Sequence, residues 1–393
     1  MSARAKAAPT STPSPFHGEL LDADGHLYLN WDDSKEVYGP NPRGVANAFL
    51  RDYVHTEEFK ANRAKNRQPE SLWAIKGMGA LGAYDPIERR DALTAMGVKA
   101  QLLFANNGNW ELMADTDEAR AICMRYNDHI VEVTQRSDNR ARAACHINMS
   151  DPRWAVGEVE RVLKKGAKCV LLPCHQAPGG VSPSHQCWDP LWARLQEADV
   201  PATLHLGLSG GLLSDRGPET LMFPNPNWSD SATLRNKPAF RAGGEEAISP
   251  YYMLVTHMAP ELFMQTMVMG KVFERFPRLR FGIIELGAAW VGPAVERMDL
   301  WANFMNKIGV KYDLKPSEYV RRNIRVTPFW HEDLPLMIGR YGLKEIYCFS
   351  TDYPHIEGSY DPIGKFNKHL AKLDPAYARD FFIENGRWLL PNA

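Results

Sequence analysis

Short apolar runs rich in β-branched residues recur along the chain from residue 20 onward, and longer amphipathic stretches separate them. This alternation is typical of parallel strands joined by crossover helices. Eight runs are predicted to be strands: Leu20 to His26, Val98 to Phe104, Ala141 to Asn148, Cys169 to Pro173, Ala202 to Leu206, Arg280 to Leu286, Ile324 to Phe329 and Ile346 to Ser350. Eight parallel strands close a barrel, so the pattern predicts an α/β fold of the (β/α)8 TIM-barrel type.

Helix boundary signals support this prediction. Asp85-Pro86 opens a segment that ends at Gly97, and Ser150-Asp151-Pro152 opens one that reaches Gly166. Such residues are favoured at the first and last positions of helices. A doubly wound open sheet uses the same alternation, but it carries a glycine-rich phosphate turn after its first strand, and Asp24-Gly-His26-Leu-Tyr is no such turn.

Two long connections interrupt the pattern, at residues 28–84 after the first strand and 207–250 after the fifth. Both follow the carboxyl end of a strand, which is the active face of a barrel, so we expect them to build lids, walls or subunit contacts. Residues 1–17 are predicted to form a flexible N-terminal arm. Residues 18–393 are predicted to form a single barrel domain.

Composition narrows the class of protein. The chain has 393 residues, 44% of them hydrophobic and 24% charged, with a formal net charge of −1, as expected of a soluble globular protein. It offers no basic face for nucleic acid and no apolar run near the roughly 20 residues that span a membrane. The N-terminal arm lacks the apolar core of a secretory signal, and the six cysteines form no Cys-x-x-Cys pair. We therefore expect a cytoplasmic protein with reduced thiols.

Acids and histidines at the ends of predicted strands indicate a metal site. Asp24 and His26 are two residues apart and so project to the same face of the first strand. His205 ends the fifth strand and Asp352 the eighth, and the first and last strands of a closed barrel are neighbours. This oxygen and nitrogen set suits one divalent ion, Zn(II), Mn(II) or Fe(II). Each residue alone has a structural explanation, such as helix capping by Asp352, but four at strand ends favour a metal.

Further polar residues follow other strands. Glu285 is predicted to act as a base or an additional ligand, and His257 or His355 to stabilise developing charge. His257 also precedes a helix that it would otherwise cap, and we favour the site for it. The predicted substrate-binding residues lie beyond strand ends or in the second insertion: Asn106, Asn107, Asn148, His175, His331 and Trp228.

From about residue 20 to 390 the chain resembles the ACMSD-like branch of the amidohydrolase superfamily, which includes aminocarboxymuconate semialdehyde decarboxylase and resorcylate-type decarboxylases. The resemblance rests on five motifs in order: Asp22-Ala-Asp24-Gly-His26, the stretch from Asp189-Pro-Leu-Trp192 to Val200-Pro-Ala-Thr-Leu-His205, Val272-Phe-Glu-Arg-Phe-Pro-Arg-Leu-Arg280, Ser350-Thr-Asp352-Tyr-Pro-His355 and Glu384-Asn-Gly-Arg387. It implies that Asp24, His26, His205 and Asp352 bind the metal, with an open position for water or substrate, and that the protein is a homodimer.

The chain departs from that family pattern at two positions. Asp24 stands where better-known relatives have histidine or glutamate, which favours a harder ion such as Mn(II) over Zn(II). Glu285 stands where they have a histidine that handles a proton, so a histidine-dependent mechanism does not transfer unchanged. Binuclear relatives use a lysine near the end of the fourth strand, but Lys168 opens that strand, which predicts a single metal.

The leading functional prediction is hydrolysis of a C–N or C–O bond in a small, aromatic molecule, with Asp352 or Glu285 as the base for metal-activated water. The alternative is non-oxidative decarboxylation of an aromatic or enol acid, which the family resemblance supports. Against it, a second carboxylate beside an anionic substrate is unfavourable unless protonated. A barrel that binds without catalysis is a third possibility, and metal content distinguishes it.

Overall fold

The computed structural model describes residues 14–40, 42, 51–105, 110–206, 228, 230–236 and 249–393, except the side chains of Trp110 and Met113. Short strands alternate with helices along the described chain. The strands are β1 (Leu20–Asp22), β2 (His26–Leu27), β3 (Val98–Ala105), β4 (Ala141–Ala143), β5 (Cys145–His146), β6 (Val170–Leu171), β7 (Ala202–His205), β8 (Phe281–Ile284) and β9 (Ile324–Val326).

These strands pair in parallel around a barrel. β1 and β2 both pair with β3, which pairs with β4. β4 and β5 are consecutive pieces of the predicted third strand, and β5 to β9 then pair in chain order. Residues 347–353 close the ring, because Tyr347 bridges to Val326 and Tyr353 bridges to Gly25. The described residues thus supply the eight strand positions of the predicted TIM barrel, although the last is joined by bridges rather than by a continuous ladder.

The longer helices lie between successive strands, and both predicted helix boundaries are confirmed. Asp85 caps the helix Pro86–Met96, which ends at Gly97 with φ +73°. Asp151 caps the helix Pro152–Lys165, which ends at Gly166. The α-helices of the described chain are Trp31–Tyr38, Glu57–Lys65, Pro86–Met96, Trp110–Met113, Asp117–Arg136, Pro152–Lys165, Asp189–Ala198, Ala232–Arg235, Pro250–Val255, Met258–Met269, Val272–Arg275, Val291–Asn306, Pro316–Asn323, Leu334–Tyr341, Pro362–Leu370 and Tyr377–Arg379.

The described part of the first insertion packs against the closing segment of the barrel. The Gly77 amide donates to the Pro354 carbonyl (2.8 Å), and the Tyr353 hydroxyl donates to the Leu81 carbonyl (2.9 Å). The ring of Trp73 lies 5.9 Å from that of Tyr353. This insertion therefore forms a wall beside the carboxyl end of the eighth strand.

Two simpler expectations concern the thiols and the membrane. All six cysteines are free, and five of them are buried, as expected for reduced thiols in a hydrophobic core. Among the described residues, none of the helices combines the length and the apolar character that crossing a bilayer requires.

Candidate functional site

The barrel brings five acids and imidazoles together from four strand positions. Asp24 lies between β1 and β2, His26 begins β2, His205 ends β7, and Glu285 directly follows β8. Asp352 lies in the segment that closes the ring, where its amide donates to the Asp24 carbonyl (3.0 Å). Because all strands are parallel, their carboxyl ends meet at one rim, which explains how residues so distant in sequence converge.

The ligand atoms lie within a few ångströms of one another. His26 Nε2 is 3.6 Å from Asp24 Oδ1, 3.3 Å from Glu285 Oε2 and 3.2 Å from Asp352 Oδ1. His205 Nε2 is 3.5 Å from Asp24 Oδ1 and 3.1 Å from Glu285 Oε2. His26 therefore lies within 4 Å of all three carboxylates, and Glu285 lies among the predicted ligands.

The donor set fits a metal ion. Three of its atoms, Asp24 Oδ1, His26 Nε2 and His205 Nε2, are buried and have no hydrogen-bond partner among the described residues. Buried polar atoms without partners are rare in folded proteins. A cation at their centre would satisfy all three lone pairs at once, and these residues form with Glu285 a group that could hold one metal ion. A second such group shares His26 and Glu285 with the first and adds Asp352 and His355.

Two of the acids have unusual backbone conformations. Glu285 has φ +54° and Asp352 has φ +53°, both in the left-handed region that non-glycine residues rarely adopt. The Glu285 amide donates to Thr327 Oγ1 (2.9 Å), which helps to hold this conformation. Such residues concentrate at functional sites, where the fold holds a side chain in a required direction.

Burial and neighbouring charges shift the pKa values of three of these groups. Burial raises the pKa of Asp24 to about 6, although His205 opposes the shift. Burial, with repulsion from His355, lowers the pKa of His26, so this imidazole stays neutral and can bind a metal. Burial also acts to raise the pKa of Asp352, but His355 and His26 outweigh it and hold the pKa below its ordinary value.

Contacts with other rings orient the imidazoles. His355 stacks on His26, with ring centroids 3.4 Å apart, and its Nδ1 lies 2.9 Å from Asp352 Oδ1. His205 packs against Phe104 at 4.2 Å. The Nδ1 of His205 lies 3.0 Å from the Leu206 carbonyl, and donation there leaves Nε2 as the metal-binding nitrogen.

A buried polar network supports the two strands that carry these ligands. Asp22 accepts hydrogen bonds from the Asp24 amide, the Thr351 amide and hydroxyl, and Gln101 Nε2. Arg89, which is fully buried, donates to Gln101 Oε1 (3.0 Å) and to the carbonyls of His26, Tyr353 and Gly82. The network therefore joins the first strand to the last directly beneath the site.

The glycine between Asp24 and His26 has a role in this network. A Cβ atom at Gly25 would collide with the side-chain amide of Gln101. The absence of a side chain thus lets Gln101 reach Asp22. This close approach explains why the Asp-Gly-His motif contains glycine.

The structure does not bring His257 or His175 to the ligand cluster. His257 precedes the helix Met258–Met269, where its Nε2 lies 3.8 Å from Glu261 and its ring stacks on Trp290 at 6.0 Å. His175 is buried after β6, and burial lowers its pKa to about 4.

The remaining predicted substrate-binding residues differ in their surroundings. Asn148 donates to the carbonyls of Glu111 and Ala114 (2.6 and 2.8 Å), so its amide supports the local loop. His331 stacks on Phe329 at 5.4 Å, and Trp228 is 71% exposed. Asn106 and Asn107 lie outside the described residues.

Two features were not predicted. Glu111 and His146, both fully buried, form a contact of 2.8 Å behind the third strand, where Tyr126 stacks on the imidazole at 3.8 Å. The other is a narrow cavity beside the ligand cluster, lined by residues that include Asp24, Glu285, Trp330, Asp352 and Glu357.

A larger cavity, of about 390 Å³, lies elsewhere and includes none of the predicted site residues. It is lined by Lys168 and Asp199 among others, and Lys168 lies at the start of the fourth strand rather than at its carboxyl end. The ligand cluster, rather than this larger cavity, is therefore the candidate active site.

Comparisons with known proteins agree with this fold. Residues 83–391 match the family model described as Amidohydrolase. An amidohydrolase from Mycobacterium avium subsp. paratuberculosis K-10 is 22% identical, with a TM-score of 0.68, covering 95% of this chain and 99% of its own.

Two solved decarboxylases are also similar. The 5-carboxyvanillate decarboxylase from Novosphingobium aromaticivorans DSM 12444, solved with manganese and a nitrobenzoic acid, is 17% identical with a TM-score of 0.60, covering 98% of this chain and 99% of its own. The 2,6-dihydroxybenzoate decarboxylase from Rhizobium is 17% identical with a TM-score of 0.60, covering 94% of this chain and 98% of its own. At these identities the likeness establishes the shared fold.

Proposed function

This chain belongs to the amidohydrolase family, and from that premise we propose that it catalyses the metal-dependent, non-oxidative decarboxylation of an aromatic hydroxy acid. This reverses the order suggested by the sequence, which placed hydrolysis first. The names of the solved relatives support the change, because several of them are decarboxylases of hydroxybenzoates.

The observation that carries the proposal is the position of Glu285. Its Oε2 lies 3.1 and 3.3 Å from the Nε2 atoms of His205 and His26, inside the ligand cluster. As a ligand, Glu285 has part of its charge offset by the ion, which lessens the electrostatic objection to an anionic substrate.

We propose that Asp24, His26, His205, Glu285 and Asp352 together provide the ligands. Three carboxylates and two imidazoles form an oxygen-rich set that favours Mn(II) over Zn(II). Solved relatives contain manganese, which supports the same choice. When bound, the ion would act as a Lewis acid and orient the carboxylate and hydroxyl oxygens of the substrate.

The protein's own groups would handle the proton. His355 Nδ1 and Asp352 Oδ1 are 2.9 Å apart, so one proton can be held between them. Decarboxylation breaks the bond between the ring carbon and the carboxylate carbon, releases carbon dioxide and leaves the electron pair on the ring carbon. A proton delivered from this pair to that carbon completes the reaction. Phe329 and Trp330, which line the adjacent cavity, offer apolar surface for the ring.

The test is incubation of manganese-loaded protein with 2,6-dihydroxybenzoate and 5-carboxyvanillate, with carbon dioxide and the aromatic product measured together. We expect stoichiometric release of both from at least one hydroxybenzoate. Asp352→Asn should abolish the activity. Asp361→Asn is the matched control, because Asp361 caps the helix Pro362–Leu370 and asparagine caps equally well. Turnover of aromatic amides or esters, with no carbon dioxide from any hydroxybenzoate, would restore hydrolysis as the better hypothesis.

A further inference from the structure

The cavity beside the ligand cluster is strongly acidic. Four of its lining residues are carboxylates: Asp24, Glu285, Asp352 and Glu357. None of its described lining residues is a lysine or an arginine. An anionic substrate must approach this wall, so a cation close to it would favour entry and binding.

Lys76 supplies a cation at the edge of this cavity. Its Nζ donates to the carbonyl of Ser359 (3.2 Å), and Ser359 itself lines the cavity. The ammonium lies 5.3 Å from the centre of the Tyr360 ring. Burial lowers the pKa of Lys76 to about 8, while the nearby Asp352 and Glu357 oppose the shift, so the ammonium stays charged at neutral pH.

The backbone around Lys76 is fixed against the barrel. Gly77, the next residue, donates to the Pro354 carbonyl (2.8 Å) and has φ +65°, a conformation that suits glycine. Trp73 packs on Tyr353 from the same insertion. The lysine stem thus starts from a rigid position, whereas its ammonium has three donors, of which Ser359 uses one.

We propose that Lys76 binds the carboxylate of the incoming aromatic acid and thereby selects anionic over neutral ring compounds. This inference rests on the proposed function and names its specificity-determining residue. On this proposal the first insertion supplies a substrate-binding residue in addition to one wall of the site. A purely structural role is the competing explanation, in which Lys76 only ties the insertion to residues 354–360.

The test compares binding of two probes that differ in the carboxylate alone. Affinities of manganese-loaded protein for 2,6-dihydroxybenzoate and for resorcinol are measured by calorimetry, together with KM and kcat for any acid that turns over. Lys76→Met keeps an apolar stem and removes the charge. We expect it to weaken binding of the acid roughly 10- to 100-fold, the value of one charge-assisted hydrogen bond, and to change resorcinol binding less than about twofold.

Two further variants make the result specific. Lys76→Arg restores the charge and should recover most of the affinity for the acid. Lys60→Met is the matched control, because Lys60 lies in the same insertion and is exposed, and its one ion pair among the described residues is with Glu57 across one helical turn. It should behave as the unmodified protein.

Two results would overturn the inference and leave the proposed function standing. One is equal weakening for the acid and for resorcinol, as expected of a structural role. The other is unchanged affinity of Lys76→Met for the acid while the unmodified protein still releases carbon dioxide. If the unmodified protein binds neither acid nor resorcinol and releases no carbon dioxide, the proposed function fails and this inference fails with it.

Discussion

Glu285 lies at the carboxyl end of β8, where its carboxylate contacts the imidazoles of both His26 and His205. The sequence predicts that it lies near the metal but leaves open whether it is a ligand or a base. The left-handed backbone at this residue directs the side chain inward, a feature that no hydrophobic pattern encodes. A substitution that keeps the shape and removes the charge distinguishes the two roles.

We expect Glu285→Gln to weaken Mn(II) binding by about 10- to 100-fold, because an amide oxygen is a poorer ligand than a carboxylate. Activity should then return in part when manganese is raised in proportion to the lost affinity. Metal titration followed by activity assays at several manganese concentrations gives both quantities. Unchanged metal affinity with a kcat that excess manganese cannot restore would instead identify Glu285 as the base.

The raised pKa of Asp24 predicts how manganese binding depends on pH. Burial raises it to about 6 in the metal-free protein, so protons compete with the metal for this carboxylate below that pH. Manganese affinity should fall by about tenfold per pH unit below pH 6 for this one proton. Titrations at pH 7, 5.5 and 4.5 measure the slope, and an affinity that is constant over this range would contradict the assignment of Asp24 as a ligand.

The raised pKa of Asp24 also affects the stability of the metal-free fold. Low pH weakens metal binding but stabilises this fold. A carboxyl group whose pKa is higher in the folded chain than in the unfolded chain stabilises the folded state at low pH. For Asp24 this contribution is lost as the pH rises from about 4 through about 6. Ionisation of the buried Asp24 carboxyl group at neutral pH destabilises the metal-free fold. Bound metal offsets this destabilisation, because it stabilises the ionised carboxylate.

Among the elements, the helix Pro86–Met96 contributes an unexpected support for the site. Its Arg89 is fully buried and donates to the carbonyls of His26, Tyr353 and Gly82, so one side chain joins the first strand, the last strand and the first insertion. Burial lowers the pKa of Arg89 to about 10, which leaves the guanidinium charged at neutral pH. Loss of this side chain would remove its hydrogen bonds to these buried carbonyls, of which Tyr353 would keep the bond from the His26 amide.

Arg89→Met should therefore reduce the free energy of unfolding by about 3 to 5 kcal/mol and weaken manganese binding, since the ligand-bearing strands lose a common anchor. Arg90→Met is the matched control one position along the helix, because Arg90 is partly exposed and pairs with Asp138 at the surface. That pair should contribute less than about 1 kcal/mol. Denaturant unfolding of both variants, each with and without manganese, provides the comparison, and equal losses would contradict the anchoring role.

A comparison of Arg89 with the proposed ligands shows which parts of the site can be predicted from the sequence. Asp24, His205 and Asp352 each follow an apolar run, so strand periodicity is enough to locate them at one rim of the barrel. Arg89 lies on an amphipathic helix like many surface arginines, and its partners His26 and Tyr353 are 63 and 264 positions away. Only tertiary structure brings such groups together.

The bounds of helices and strands are likewise predictable from the sequence only where they depend on local chemistry. Helix bounds at Asp85 and Asp151 are predictable because capping is local chemistry. The sequence predicts the eighth strand over Ile346 to Ser350, but residues 344–346 form a 3-10 helix and the closing bridges extend to Tyr353. His257 is ambiguous for a related reason, since a residue at a helix start faces the site or its own helix according to packing that the sequence does not specify.

At the scale of the whole molecule, the proposed ligands span the seam where the barrel closes. This seam holds few backbone hydrogen bonds: Ala23 to Phe349 (3.0 Å), His26 to Tyr353 (2.7 Å) and Asp352 to Asp24 (3.0 Å). Asp22 adds its bonds to Thr351. A metal held by Asp24, His26 and Asp352 would join the two sides of the seam and connect them to β7 and β8.

Removing the metal should therefore loosen the seam more than the rest of the barrel. At a metal concentration about 100 times its dissociation constant, binding contributes about 2.7 kcal/mol to the stability of the folded chain. Amide hydrogen exchange with and without a chelator would locate this contribution. We expect faster exchange after chelation at residues 20–27 and 347–355, while β6, which carries none of the proposed ligands, serves as the internal reference. A uniform increase in exchange rate across all strands would mean that the ion stabilises the fold globally. Unchanged exchange at the seam would mean that the ion does not help to hold the barrel closed.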